Sequence, residues 1–279
     1  MKLFRHGAVG FEKPGAVDPQ GKFRDLSLIV PDFTPDWMAP EKLKALAAVD
    51  LARMSLVPEG TRIGAPVAGI RQFIAIGLNY RKHAIESGNE IPKEPVVFTK
   101  AVTSIAGPND DVVLPEGSEA GDWEIELGIV IGTIARNVTV ADALSHVAGY
   151  VLANDVSERN WQLKRNGQWG KGKSFDGFGP IGPWLVTKDE LADPQSIALE
   201  LAVNSETKQL SSTADMIFSV KEIVSYLSRF MTLLPGDLVI TGTPEGVGLG
   251  MKPTPQFLRR GDVMTLSGGP LGTQRQRVV

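Results

Sequence analysis

The sequence predicts an α+β fold rich in strands, built from packed, mixed and mostly antiparallel β-sheets with a small N-terminal domain. Three observations predict it. From Phe73 onward the chain is a series of short β-type runs, "FIAIGL", "PVVFTK", "DVVLP", "WEIELGIVIG", "GYVLAND", "PWLVT", "ALELAVN", "DLVITG" and "DVMTL", with Gly and Pro between them. These runs do not alternate with long helices, which disfavours a doubly wound nucleotide-binding fold. At 279 residues the chain is also long enough to bury a sizeable core.

Residues 1–70 read as a separate small unit and 71–279 as the main domain. In the first, "APEKLKALAAVDLARM" carries Leu43, Leu46, Ala47 and Leu51 at helical spacing. "VPEGTRIGAPVAG" then reads as an irregular crossing segment because of its Pro and Gly. Two helices are expected in the main domain. One is a short one over 139–147, opening at Thr139. The other covers 219–231, where Ser219 and Glu222 form a capping box and Val220, Ile223, Val224, Leu227 and Met231 line one face. "LLPGD" stops it.

Composition narrows the function. Apolar residues make up 42% and charged residues 22%, ordinary globular usage that argues against disorder. The net charge of -3 offers no basic face for nucleic acid. The chain has no cysteine, which removes disulfides, thiol nucleophiles and thiolate metal sites together. "MKLFRHGAVG" lacks the apolar run of a signal peptide, and no segment reaches the ~20 apolar residues of a membrane span. A soluble, cytoplasmic protein acting on small solutes is expected.

One stretch suggests a nucleotide. "GQWGKGKSFD" places Gly167 and Gly172-Lys173-Ser174 in the spacing of the phosphate-binding pattern G-x-x-x-x-G-K-S. Such a loop needs an apolar strand entering it and a helix leaving it. Here "SERNWQLKRN" before it is charged, and "FDGFGPIGP" after it cannot continue as a helix. Nucleotide binding at 167–174 is the remote alternative.

The carboxylates suggest more. In "DWEIELGIVIG" Trp123, Ile125, Leu127, Ile129 and Ile131 alternate, so Glu124 and Glu126 share the opposite face. Like charges at such neighbouring positions repel, and a cation between them relieves the repulsion; a half-exposed strand with solvated glutamates is the plainer reading. Asp155 ends the apolar run "YVLAND", and three carboxylates suit a hard cation, Mg2+ or Mn2+, with Ca2+ fitting less well. Of the three histidines, His146 reads as a helix-end residue, His6 has no carboxylate close by in sequence, and His83 precedes Glu86 by three, so that on a helical turn the two side chains meet. That pair reads either as an oriented base or as an exposed surface pair. "SGNEIPKEP" after it is polar and irregular, as a lid would be. "TGTPEGVGLG" offers Thr241, Thr243 and backbone amides as an anion cradle, or a plain tight turn.

Taken in order, "GLNYRKHAIESG", "GPNDDVVLP", "DWEIELGIVIG", "GYVLANDVSERNWQ", "GKGKSFDGFGPIGPWLV" and "MTLLPGDLVITGTPEGVG" resemble the fumarylacetoacetate hydrolase family across residues 77–248. The resemblance implies a catalytic domain over 71–279 folded as a roll of β-sheets, a homodimer, and a divalent metal on Glu124, Glu126 and Asp155. It also implies a His83–Glu86 dyad that activates water and a Lys173 that meets substrate oxygens. Thr243, Gln162 and Tyr80 fall at substrate-contacting positions. A further aspartate near the metal of the founding hydrolase has no match here, and Asn204-Ser205 stands where many relatives have Asn-Gly. The chain's two ends resemble a bacterial subgroup labelled 2,4-diketo-3-deoxy-L-fuconate hydrolase or ureidoglycolate lyase. The implied activity is C–C bond hydrolysis in a 2,4-diketo acid or acylpyruvate through a metal-bound enolate. Decarboxylation or isomerisation of 2-keto acids, of the oxaloacetate or carboxymethyl-hydroxymuconate type, is the alternative.

Overall fold

The computed structural model of the chain describes residues 1–191 and 193–279. Its main sheet has ten strands, nine of which follow one path: Phe23–Asp25, Lys13–Val17, Lys2–His6, Leu185–Thr187, Val147–Asn154, Ile125–Ile131, Leu238–Ile240, Phe73–Gly77 and Val96–Lys100. The tenth, Ile63–Gly64, pairs with Lys2–His6. Within this path only Leu238–Ile240 and Phe73–Gly77 run parallel. A second, antiparallel sheet orders Glu206–Ser212, Ala198–Val203, Val263–Ser267 and Thr273–Arg277.

Both faces of the central strand Ile125–Ile131 are covered, and all seven of its residues are buried. On one face Leu127 and Ile129 share a core with Leu199, Leu201, Met264 and Leu266 of the second sheet. The helix Val220–Leu227 closes that layer with Val220, Ile223, Val224 and Leu227, and both halves of its Ser219–Glu222 capping box are made. On the opposite face Val130, Val151 and Leu238 pack against Leu26, Phe33, Met38, Leu43 and Leu46 from the N-terminal segment. That segment is tied into the main sheet by pairing of Lys2–His6 with Leu185–Thr187.

Several elements differ from expectation. The segment 139–147 forms only a 3-10 turn, Ala143–His146, because Thr139 and Asp142 bond each other and the chain passes directly into the strand at Val147. The regular helix predicted to reach 231 ends at Leu227. "DVVLP" makes no strand of its own; Val112 forms a single parallel bridge to Val278. Lys2–His6, Lys13–Val17, Glu206–Ser212 and Thr273–Arg277 are strands that the sequence did not announce. Among the described residues no helix is long and apolar enough to cross a membrane.

The two-layer core gives a direct contrast. Leu201→Ala, between the sheets, should lower the urea-unfolding free energy by about 2–5 kcal/mol. Leu210→Ala, 68% exposed on the outer strand, should change it by no more than about 0.5 kcal/mol.

Candidate active site

Strand register builds the site. Ala153 pairs with Glu126 and Asn154 with Ile125 in the antiparallel ladder, so the next residue, Asp155, comes level with Glu124. The Asp155 amide donates to the Glu124 carbonyl at 2.8 Å. Candidate ligand oxygens of Glu124, Glu126 and Asp155 all lie within 4.8 Å of one another. None of the three faces solvent: Glu124 is 6% exposed and the other two 1% each.

Three buried cations answer them. Lys173 bridges Glu124 and Asp155, at 2.6 Å to each. Lys100 donates to Asp155 at 2.5 Å from the opposite side. Arg159 forms an ion pair with Glu124 at 2.6 Å and donates to Asp122 at 2.8 Å. Four carboxylates thus face three cations, and the one left without a side-chain cation among the described residues is Glu126. It accepts a hydrogen bond from the Gly242 amide at 2.7 Å.

The titration directions follow from this arrangement. Burial pushes the Glu124 carboxyl up, but Lys173 and Arg159 outweigh it and hold it at about 2. Burial, then Asp155 and Glu124, push Glu126 well above the usual carboxylate range. The two lysines share Asp155 yet move oppositely. Burial lowers both, but Lys173 faces two carboxylates and ends raised, whereas Lys100 faces one, is repelled by Lys173, and ends lowered.

The residues fit a divalent cation. The donors are all oxygen, they converge, and Glu126 has only an amide to satisfy it. Mg2+ or Mn2+ matches such a set; imidazole and thiolate ligands, which zinc prefers, are absent from it.

Above the carboxylates lies a cavity of about 410 Å3. Its polar lining brings together the expected His83, Glu86, Gln162, Lys173 and Thr243 with the three carboxylates. Phe98, Leu163, Trp169 and Leu249 make its walls apolar. His83 Nδ1 lies 3.3 Å from Glu86 Oε2 on the helix Arg81–Glu86, and the Gly246 amide donates to both Glu86 oxygens at 3.0 and 3.2 Å. Thr243 is held by its bond to the Ile125 carbonyl, 3.0 Å, and by Gln209, 2.9 Å. Gln162 accepts from Arg159 at 2.9 Å.

Tyr80 does not join them. Expected at the substrate, it instead fills the main core, fully buried and outside the cavity lining, with its hydroxyl unpartnered. Lys173 lines the cavity with its ammonium bound to two of the proposed metal ligands. His6 lies far off in the N-terminal strand, 3.7 Å from Asp25, and His146 bonds Thr133. The nucleotide reading finds no support in the backbone, since residues 170–173 are a single helical turn that follows turns and the short helix Arg159–Leu163, with no strand entering it. Lys100, Asp122 and Arg159 were missed. A lysine closing the run "VVFTK" and an arginine four residues after Asp155 were the only signals.

The profile of the fumarylacetoacetate (FAA) hydrolase C-terminal region matches residues 72–279. A Burkholderia ambifaria protein whose name goes no further than hydrolase is 53% identical over 276 residues, covering 99% of this chain and 98% of the relative. The solved fumarylacetoacetate hydrolase of Exiguobacterium antarcticum superposes with a TM-score of 0.88 at 37% identity, over 100% of this chain and 99% of that one. The 5-carboxymethyl-2-hydroxymuconate delta-isomerase of Mycobacterium smegmatis does so with 0.78 at 32%, over 100% and 98%.

Glu126 sets a trade between stability and binding. With its folded pKa raised, the metal-free protein loses stability as pH climbs above the unfolded value of 4.5, because folding then holds a buried charge or an extra proton. Glu126→Gln should therefore melt at a higher temperature than wild type in chelator at pH 8. The same variant should bind Mn2+ at least about tenfold more weakly by calorimetry. In the wild type, Mn2+ affinity should fall by up to about tenfold per unit as pH drops below the folded pKa of Glu126, since the proton must leave before the ion binds.

Proposed function

The chain belongs to the fumarylacetoacetate hydrolase family, and we propose that within it the protein is a divalent-metal-dependent hydrolase cleaving a C–C bond of a 2,4-diketo acid. The observation that carries this reading is a His–Glu pair facing three converging carboxylates across one cavity. A decarboxylase or an isomerase needs the carboxylates but no base for water.

A divalent cation on Glu124, Glu126 and Asp155 would supply Lewis-acid polarisation of the keto acid. The chain's own groups do the rest. With Glu86 ionised, the proton of the neutral imidazole sits on Nδ1, which leaves Nε2 of His83 to take a proton from water. The oxygen of that water joins the C4 carbonyl carbon, and the bond from C3 to C4 breaks. The electron pair stays on C3 as the enolate of a pyruvate-type acid until a proton arrives there. The products are a carboxylic acid and a 2-keto acid. Lys173 and Arg159 place positive charge on the cavity floor where the negative charge develops. Gln162 and Thr243 offer hydrogen-bonding groups to the substrate, and Phe98, Leu163 and Trp169 exclude bulk water. We read the biological unit as a homodimer acting on small keto acids.

The likeness to a delta-isomerase supports a second reading, isomerisation through the same enolate without attack by water. Product analysis separates the two. Purified protein with Mg2+ or Mn2+ should convert acylpyruvates to two acids without releasing CO2, and chelator should stop it. His83→Ala should lower kcat by about 10²-fold or more. Lys173→Ala should impair turnover by about 10²-fold while divalent binding by calorimetry is retained. Release of CO2, or a rearranged product of unchanged mass, would overturn the hydrolase assignment.

A further inference from the structure

Glu86 is held in the dyad by a loop whose residues Val247, Leu249 and Gly250 also line the cavity. The Gly246 amide that meets it has φ +94, a conformation that favours glycine, and a Cβ there would collide with the Lys208 carbonyl. From behind, Trp123 Nε1 donates to the Gly246 carbonyl at 3.0 Å. The buried Asp122 carboxylate accepts from the Gly248 and Leu249 amides at 2.7 and 2.9 Å, and the Gln256 amide donates to the Gly248 carbonyl at 2.9 Å. The loop is therefore held in shape independently of Glu86. At Gly250 a methyl group would fall 2.5 Å from Glu86 Cδ and 2.6 Å from Oε2.

We propose that the Gly246–Gly250 loop is a preformed socket that positions Glu86, and that Gly250 is the residue that keeps it open. The inference rests on the dyad role assigned above. The three atoms nearest a Cβ at 250 all belong to the flexible end of Glu86, so alanine is accommodated by moving that carboxylate rather than by unfolding the loop. The His83–Glu86 contact is already long at 3.3 Å, and a shift of a few tenths of an ångström breaks it. Gly250 is thus a positioning residue, acting on His83 through Glu86.

Imidazole 15N spectra test this without any substrate, since the chain has three histidines. In Gly250→Ala the His83 signals should move toward those of Glu86→Ala, while Mn2+ affinity stays within about twofold of wild type. In turnover, Gly250→Ala should lower kcat about tenfold or more with KM little changed, and add nothing further to Glu86→Ala. Wild-type imidazole signals in Gly250→Ala, or an equal loss of kcat in both backgrounds, would overturn the proposal. If Gly250→Ala fails to fold, the double variant, which has room for the methyl, must fold; unfolding of both is equally decisive against the socket. Absence of diketo-acid turnover would sink the reaction assigned above and leave the spectroscopic test standing.

Discussion

The structure turns on one electrostatic constraint: three carboxylates buried within 4.8 Å of one another at the ends of two neighbouring strands. Unpaired, such charges are among the most expensive things a protein can bury. The chain answers with cations drawn from separate places, Lys100 from the edge strand, Arg159 from the turn after Asp155, and Lys173 from a short helix. Each must be long enough to reach inward, and each is paired with carboxylates it helps to neutralise. The compensation stops one charge short, at Glu126. That shortfall is what a divalent ion would answer in an all-oxygen site, and it ties the placement of several elements to a single point.

Floor and walls have different origins. The carboxylates come from the central strands, whose register is fixed by apolar side chains on both faces. The upper parts come from loops and short helices: His83 and Glu86 from 81–86, Thr243 and Leu249 from the glycine-rich turn, Leu163 and Trp169 from around the turn of 164–169. A rigid floor that stabilises an enolate is common to hydrolysis, decarboxylation and isomerisation, whereas attack by water requires the base above it. Chemistry within one such family can therefore diverge by changes in loops while the sheet stays the same. For this chain the presence of the dyad is what favours hydrolysis.

Legibility in the sequence followed from what each residue had to do. The central strand and its two glutamates were readable because apolar alternation and like charge coincide in "WEIELGIVIG". The helix at Ser219 was readable from its capping box. The strand Thr273–Arg277 was not, because its inward residues are Gln274 and Gln276. Their amides, hydrogen-bonded to the carbonyls of Leu152, Gly182 and Pro108, do the work that apolar packing does elsewhere. Tyr80 falls in the core rather than in the cavity lining, a difference that a motif position does not disclose. Lys100, Asp122 and Arg159 escaped notice because their roles exist only across the fold, between residues 35 or more positions apart.

The nucleotide-like letters of 167–174 end with a physical explanation of their own. In a phosphate loop the glycines bare backbone amides to the ligand. Here Gly172 lies against the Glu158 carbonyl and the Gln162 amide so tightly that any Cβ would overlap them, and a Cβ on Gly170 would press on the Thr99 carbonyl. These glycines let the turn 170–173 approach the helix Arg159–Leu163 and the edge strand closely enough for Lys173 to reach Glu124 and Asp155. A bulkier residue at either position would hold the backbone off and withdraw the one ammonium that bridges two of the three carboxylates. The glycines thus serve close packing of backbone on backbone, and the lysine they position meets anions that belong to the protein itself.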